Sequence, residues 1–305
     1  MSADSLSGSV ALVTGASGFL GSNLCQRLVD SGAEVHATSR AARTSDDDRL
    51  RWWQSDLASD ESARALVREI RPDVIFHLAG QVSAAPDVSL VVPAFRSLLA
   101  STLNLLAAVE ELGGARVVLT GSLTEPRSSG DEVVPSSPYA AAKWASTAYA
   151  RMFHALYGTP AVIVRPFMTY GPGQNPEKLV PHVILSLLRG ASPKLASGRW
   201  SADWVYVDDV IDGFLLAATR AGIDGKTIDL GSGELTSTRE IVEKVVARID
   251  PRIDPEFGAL PDRPAEEVRI ADVTAAKAAL GWEPRTSLDR GLEQTIAWYR
   301  DRSRA

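Results

Sequence analysis

The chain reads as an α/β protein, a doubly wound parallel sheet followed by a smaller C-terminal lobe. Three observations lead there. Short apolar runs alternate with helical stretches between residues 10 and 165, the pattern of strands joined by crossover helices. A cluster of glycines follows the first of those runs directly. The last third is punctuated by Pro and Gly, and strand-like runs become scarce in it.

The elements follow in order. Val10–Thr14 is a short apolar run, then comes a Gly turn, then a helix through about Val29. Glu34–Thr38, Val74–Leu78, Arg116–Thr120 and Ala161–Arg165 read as further buried strands. A shorter strand surrounds Trp52–Trp53. Helical patterns fill the gaps at Glu61–Ile70, Val92–Leu112 and Tyr139–Tyr157. Beyond them, Gly171-Pro172-Gly173, Pro176, Pro181, Pro251, Pro255, Pro261 and Pro264 break up the chain, as expected of a lobe built on loops.

Composition narrows the function classes. The 305 residues are 45% hydrophobic and 23% charged, enough for a large core in one domain or two. Net charge is −6 and no dense Lys/Arg run appears, which disfavours a nucleic-acid partner. Cys25 is the single cysteine, so neither an internal disulfide nor a Cys-based metal cluster is expected. No unbroken run of 18 apolar residues occurs, and the N-terminal MSADSLSGS is polar. A cytoplasmic protein without a membrane partner is the expectation.

Residues 10–21 read VALVTGASGFLG, with Gly15, Gly18 and Gly21 spaced as G-x-x-G-x-x-G. Gly15 permits a tight turn, Gly18 lets backbone approach a pyrophosphate, and Gly21 lets helix pack closely on strand. The helix N-terminus then offers free N–H groups and a positive dipole end to phosphates. Ser17, Phe19 and Leu20 lie in the same turn and count with it as cofactor-binding positions. An ordinary glycine turn is the bland alternative. Asp56, with Leu57, ends the short third strand, and Leu78, Ala79 and Gly80 of HLAG end the fourth. Both fall at the sheet edge where a nucleotide would lie, although Asp56 can equally cap the next helix.

YAAAK is the second chemical signal. Tyr139 and Lys143 are four apart on an expected helix and so share a face. A phenol with an ordinary pKa of about 10 needs help to exchange protons near neutrality. A nearby ammonium favours the phenolate and also reaches a cofactor ribose. Ser122, at a strand end, can hydrogen-bond a substrate oxygen. Together they form a proton donor and acceptor suited to work beside a hydride carrier. A lone Tyr-x-x-x-Lys arises often by chance; here it stands downstream of the glycine turn.

The ordered set of these motifs, with RPFMTYGPG (165–173), WVYVDDV (204–210), DLGSGELTSTREIV (229–242) and ADVTAAKAALGWEPRTSLDRGL (271–292), resembles the extended short-chain dehydrogenase/reductase family, the nucleotide-sugar epimerase/dehydratase group. The resemblance implies a Rossmann domain over 1–171, with 205–240 returning to it, and a substrate lobe over 172–204 and 241–305. It makes Gly15, Gly18 and Gly21 phosphate binders, Asp56 the adenine contact, Tyr139 the acid/base, Lys143 the ribose ligand and Ser122 the substrate hydroxyl partner. It adds Thr124 as a sugar contact. It also implies a homodimer in which Val92–Leu112 and Tyr139–Tyr157 form a four-helix bundle.

Departures from the family pattern shape the expected reaction. About 20 residues past the glycines an Asp or Glu ordinarily binds the ribose 2′-OH of NAD. Here Ser39 and Arg40 stand there, with Arg43 close behind. A missing carboxylate and added guanidinium donors suit a 2′-phosphate, so NADP is expected over NAD. Dehydratases of the group carry an acidic pair just after the strand-end Ser/Thr; here Leu123 and Thr124 intervene before Glu125. Met168 and Ala202 replace an Asn and an Arg that usually help to hold the substrate diphosphate, while Arg263 matches a phosphate-binding Arg and Arg199 can compensate. The expected function is NADPH-dependent reduction of a nucleotide-linked keto-deoxysugar, with Tyr139 as proton donor. The alternatives are a nucleotide-sugar 4-epimerase and a non-catalytic cofactor-sensing protein.

Overall fold

The structure, a computed structural model, describes residues 6–127, 133–262 and 268–303. Seven strands form the main sheet: β1 (Val10–Thr14), β2 (Glu34–Ser39), β3 (Leu50–Gln54), β4 (Val74–His77), β5 (Arg116–Thr120), β6 (Ala161–Pro166) and, after an excursion, β10 (Thr227–Leu230). Their spatial order is β10-β6-β5-β4-β1-β2-β3. The five pairs from β6 to β3 are parallel. The order reverses on either side of β1, so the crevice at the carboxyl ends of β1 and β4 is the switch point where such sheets take ligands.

Every strand expected from the sequence is present. The short one at Trp52–Trp53 extends to β3, the sheet's edge strand. Trp53 pins it there, because its indole N–H donates to His36 Nδ1 of β2 at 2.9 Å and the two rings stack.

Helices α1 (Phe19–Asp30) and α2 (Asp60–Ile70) form the first crossovers. The next helix runs from Val88 to Leu112 but is not uniform. It joins a 3₁₀ turn, α3 (Val91–Ala94), a π-turn over Phe95–Ala100 and α4 (Ser101–Leu112). It is also the one helix among the described residues long and apolar enough to cross a bilayer by length and composition. A third of that apolar stretch is buried, while Val88, Val92 and Phe95 are exposed. α5 (Pro138–Tyr157) starts on Ser137, whose hydroxyl accepts from Ala140 N–H, with Pro138 in its first turn.

One core cluster packs Leu66, Val67 and Ile70 of α2 and Leu105, Leu106 and Val109 of α4 onto Leu12, Ile75 and Leu119 of the sheet. Burying each such side chain is worth about 1.5–3 kcal/mol.

The chain divides into two compact units, residues up to Arg165 with Ile211–Ile228, and Pro166–Val210 with Asp229 onward. The chain therefore passes between them three times, each time inside a regular element: β6, α7 (Val207–Thr219) and β10. The second unit holds a three-stranded sheet of β7 (Met168–Tyr170), β9 (Ser201–Tyr206) and β11 (Leu235–Ser237), and a small pair of β8 (Lys194–Leu195) with β12 (Glu256–Phe257). α6 (Leu179–Leu188), α8 (Thr238–Ile249), α9 (Val273–Leu280) and α10 (Leu288–Arg302) complete it.

The WVYVDDV stretch, with Asp203 just before it, proves to be its framework. Buried Asp203 accepts from the backbone N–H of Ser232 at 2.5 Å and of Gly233 and Ala271 at 3.0 Å. Asp209 accepts from Thr286 N–H at 2.9 Å, and its carbonyl accepts from the Trp282 indole at 2.8 Å. Two carboxylates thus hold the loops that lead into α9 and α10.

Candidate active site

The turn after β1 is dictated by its backbone. Gly15 has φ +67°, a region side-chain-bearing residues avoid, and a Cβ there would lie 2.7 Å from the Ala79 amide nitrogen. A Cβ on Gly21 would overlap the Gly15 carbonyl oxygen, so helix and turn can close only on glycine. Gly18 is the N-cap of α1 and supplies no side-chain bond to the first-turn amides, and no acid stands in that turn. Ser17 is exposed and Phe19 and Leu20 are half-buried around it. The result is a cradle of unspent N–H groups at a positive dipole end, shaped for a pyrophosphate. These residues fit a nicotinamide dinucleotide.

HLAG adjoins the turn. His77 is buried and links three elements: its Nδ1 accepts from the Thr14 hydroxyl at 2.8 Å, and its Nε2–H donates to Thr102 Oγ1 at 3.1 Å. Thr14 Oγ1 also accepts from Ala79 N–H at 3.2 Å, which leaves its hydroxyl hydrogen for His77, and the Thr102 hydroxyl donates to the Leu98 carbonyl at 2.6 Å. Burial holds the imidazole neutral, down to a pKa of about 3. The π-turn serves this chain of bonds: a widened turn leaves Leu98 O open to side-chain hydroxyls. Leu78 and Ala79 are therefore fixed in place beside Gly15, and Gly80 lies against Leu98.

At the end of β2, Ser39 Oγ accepts from Ala41 N–H at 3.2 Å, and the Arg40 carbonyl accepts from Gln54 Nε2 at 3.0 Å. The Arg40 side chain is exposed. Arg43 lies over the Trp52 ring at 5.5 Å, a cation–π contact. Asp56 is exposed and accepts from Ala58 N–H at 3.0 Å, with Arg96 Nη2 at 4.0 Å. It does not cap α2, because Ser59 does. Leu57 is buried and its carbonyl is held by Asn104 at 3.0 Å.

The structure brings Ser122, Tyr139 and Lys143 together at the carboxyl end of β5. Ser122 hydrogen-bonds the Tyr139 phenol, and its hydroxyl lies 2.9 Å from Thr124 Oγ1. Lys143 is buried and donates to the Thr120 carbonyl at 2.6 Å. Burial lowers its ammonium to about 8, opposed by the negative charge of Glu125. Tyr139 differs from the sequence expectation of a phenol drawn toward phenolate. Burial raises its pKa, the Ser122 bond lowers it, and Glu125 raises it. The Lys143 ammonium donates one of its three N–H groups to the Thr120 carbonyl. The Thr120 hydroxyl is buried without a hydrogen-bond partner, a polar atom left at the same edge.

Glu125, one place late for a dehydratase acid, is buried, and its Oε1 accepts the Ser122 N–H at 2.6 Å. It braces the turn from within.

A shallow cleft opens on Tyr139, lined by Gln81, Ser83, Leu90, Pro93 and Ala94. Sequence reasoning missed these residues, although Gln81 directly follows HLAG and Ser83 lies two places further on. Among the proposed substrate contacts, Met168 is half-buried in β7 and Ala202 is buried in β9. Arg199 is exposed and faces Asp262 at 3.4 Å, so its charge is already matched. Arg263 lies outside the described residues.

The profile of the NAD dependent epimerase/dehydratase family matches residues 11–231, and the chain belongs to that family. It is 33% identical over 315 residues to the UDP-glucose 4-epimerase of Mycolicibacterium smegmatis, covering 96% of this chain and 99% of the relative. Among solved structures, the UDP-glucose 4-epimerase of Thermotoga maritima with UDP-glucose superposes with TM-score 0.85 at 26% identity, over 96% of this chain and 99% of that one. That of Thermus thermophilus with NAD gives 0.82 at 27% identity, over 95% and 99%. The protein is thus a nicotinamide-dinucleotide-dependent enzyme of the extended short-chain dehydrogenase/reductase type, built on the Rossmann sheet expected from its sequence.

Proposed function

We propose that the protein is a nucleotide-sugar 4-epimerase. The observation that carries this reading is the hydrogen-bonded Ser122–Tyr139 pair with buried Lys143 beside it, in a chain that matches 4-epimerases from end to end. The ketoreductase expectation gives way. It rested mainly on the inferred cofactor, and the relatives favour the epimerase alternative. Elimination of water is not supported either, since Glu125 is turned inward to the Ser122 amide.

Gly15, Gly18 and Gly21 would hold the pyrophosphate, and Lys143 a ribose. When bound, the dinucleotide supplies a reversible hydride acceptor. Tyr139 would take the proton of the sugar hydroxyl and later return it, with Ser122 sharing the same oxygen. Burial of Lys143 keeps bulk water from the ammonium beside that phenol. The two half-reactions cancel, so no net reductant is consumed. The test is incubation with UDP-glucose and assay for UDP-galactose. Product without loss of reduced cofactor is expected; cofactor oxidation in proportion to product would restore the ketoreductase.

Cofactor choice has its own observation. The end of β2 offers Ser39, exposed Arg40 and Arg43 on Trp52, and no acid. This favours NADP, against the NAD of the Thermus relative. A homodimer is also part of the proposal: exposed Val88, Val92 and Phe95, and Trp144 and Tyr149 of α5, form apolar surface that a second copy would cover. Light scattering at micromolar concentration tests it.

A further inference from the structure

Beneath the catalytic groups lies a carboxylate that the proposed chemistry does not use. Glu125 is only 1% exposed. It closes the strand-end turn twice: its N–H donates to the Ser122 carbonyl at 3.1 Å, and its Oε1 accepts the Ser122 N–H at 2.6 Å. Gly121 makes room for it. A Cβ on Gly121 would stand 2.7 Å from Glu125 Oε1 and 2.6 Å from Arg165 Cγ, so both side chains cross that backbone in contact. The polar and charged groups facing the carboxyl are Ser122 from its own turn, Thr147 and Lys143 from α5, and Arg165 from β6. Burial raises its pKa, and all four of these groups act against that rise.

We propose that Glu125 is a positioning residue. It locks the Ser122–Thr124 turn at the geometry Tyr139 needs, and as a carboxylate buried beneath that turn it is the counter-charge of the Tyr139–Lys143 pair. The two roles separate chemically. An amide keeps the acceptor for Ser122 N–H and loses the charge; a methyl group loses both. A carboxylate that faces a phenol and an ammonium together disfavours phenolate and favours ammonium, so it moves both titrations upward. That is its direction on both groups here.

The proposal rests on the 4-epimerase reading for its meaning but not for its test. Tyr139 ionisation is followed by the tyrosinate ultraviolet difference spectrum of the protein as purified, with Tyr139→Phe as the blank. Glu125→Gln is expected to move the Tyr139 titration to lower pH while thermal unfolding stays near wild type. An unmoved titration overturns the counter-charge. If the chain turns over UDP-glucose, Glu125→Gln should also shift the acid limb of kcat to lower pH with KM little changed. Glu125→Ala should lower kcat by about 10²-fold, the cost of misplacing a reacting group by about 1 Å. Recovery by Gln of the rate lost in Ala assigns the hydrogen bond; no difference between Gln and Ala removes the positioning role. If no nucleotide sugar turns over, the functional reading fails, and the spectroscopic titration still decides the role of Glu125.

Discussion

The turn that leaves β1 and the end of β2 are neighbours in the sheet, yet they are determined differently. The turn has almost no choice: Gly15 sits at φ +67° against Ala79, and Gly21 sits against the Gly15 carbonyl. At the end of β2 the backbone accepts any residue, and the side chains of Ser39, Arg40 and Arg43 are partly or wholly exposed. The first region would bind what every dinucleotide shares. The second would distinguish one dinucleotide from another. A backbone requirement leaves an unmistakable mark in sequence, whereas a side-chain preference can be read only against what the ligand needs.

Four variants test this contrast, in falling order of effect. Tyr139→Phe should leave both regions intact and lower kcat by about 10²–10⁴-fold, with dinucleotide affinity unchanged in a titration. Gly15→Val should weaken NADPH and NADH alike. Strain at positive φ costs about 1–3 kcal/mol before the overlap with Ala79 is added, so a loss on the order of 10²-fold in both constants is expected. A loss confined to NADPH would dissolve the distinction between the regions.

Ser39→Asp with Arg40→Ala should do the reverse. A charge-assisted bond is worth about 1.5–3 kcal/mol, so NADPH should bind about 10- to 150-fold more weakly while NADH holds or improves. Wild type binding NADH as tightly as NADPH would refute the 2′-phosphate reading. Trp52→Ala removes the ring under Arg43. A cation–π contact of about 0.5–1 kcal/mol predicts a loss of about two- to fivefold, for NADPH alone, by calorimetry.

Much of the fold was legible because buried parallel strands are near-continuous apolar runs and need no partner to be recognised. β3 was the weakest of them, since an edge strand with Arg51 and Gln54 exposed lacks such a run. The π-turn was not legible at all. It depends on Leu98 O meeting side chains from Thr102 and Ser146, groups brought together only by folding. At the site, spacing announced Tyr139 and Lys143. It misjudged the electrostatics, because burial and the Glu125 charge raise Tyr139, and the Lys143 ammonium donates a hydrogen bond to the Thr120 carbonyl. Glu125 looked like an acid one place out of register; only its contact with the Ser122 amide shows a brace.

The three crossings of the chain inside β6, α7 and β10 bear on how such a protein can change. A unit joined by one linker can be exchanged between genes by a single splice. Here any graft of the second unit needs three junctions, and each would cut a strand or helix whose hydrogen bonds continue across the cut. New specificity is therefore expected to arise by point substitution and loop change within one continuous lineage, and laboratory chimeras should place their joints in the loops flanking those elements.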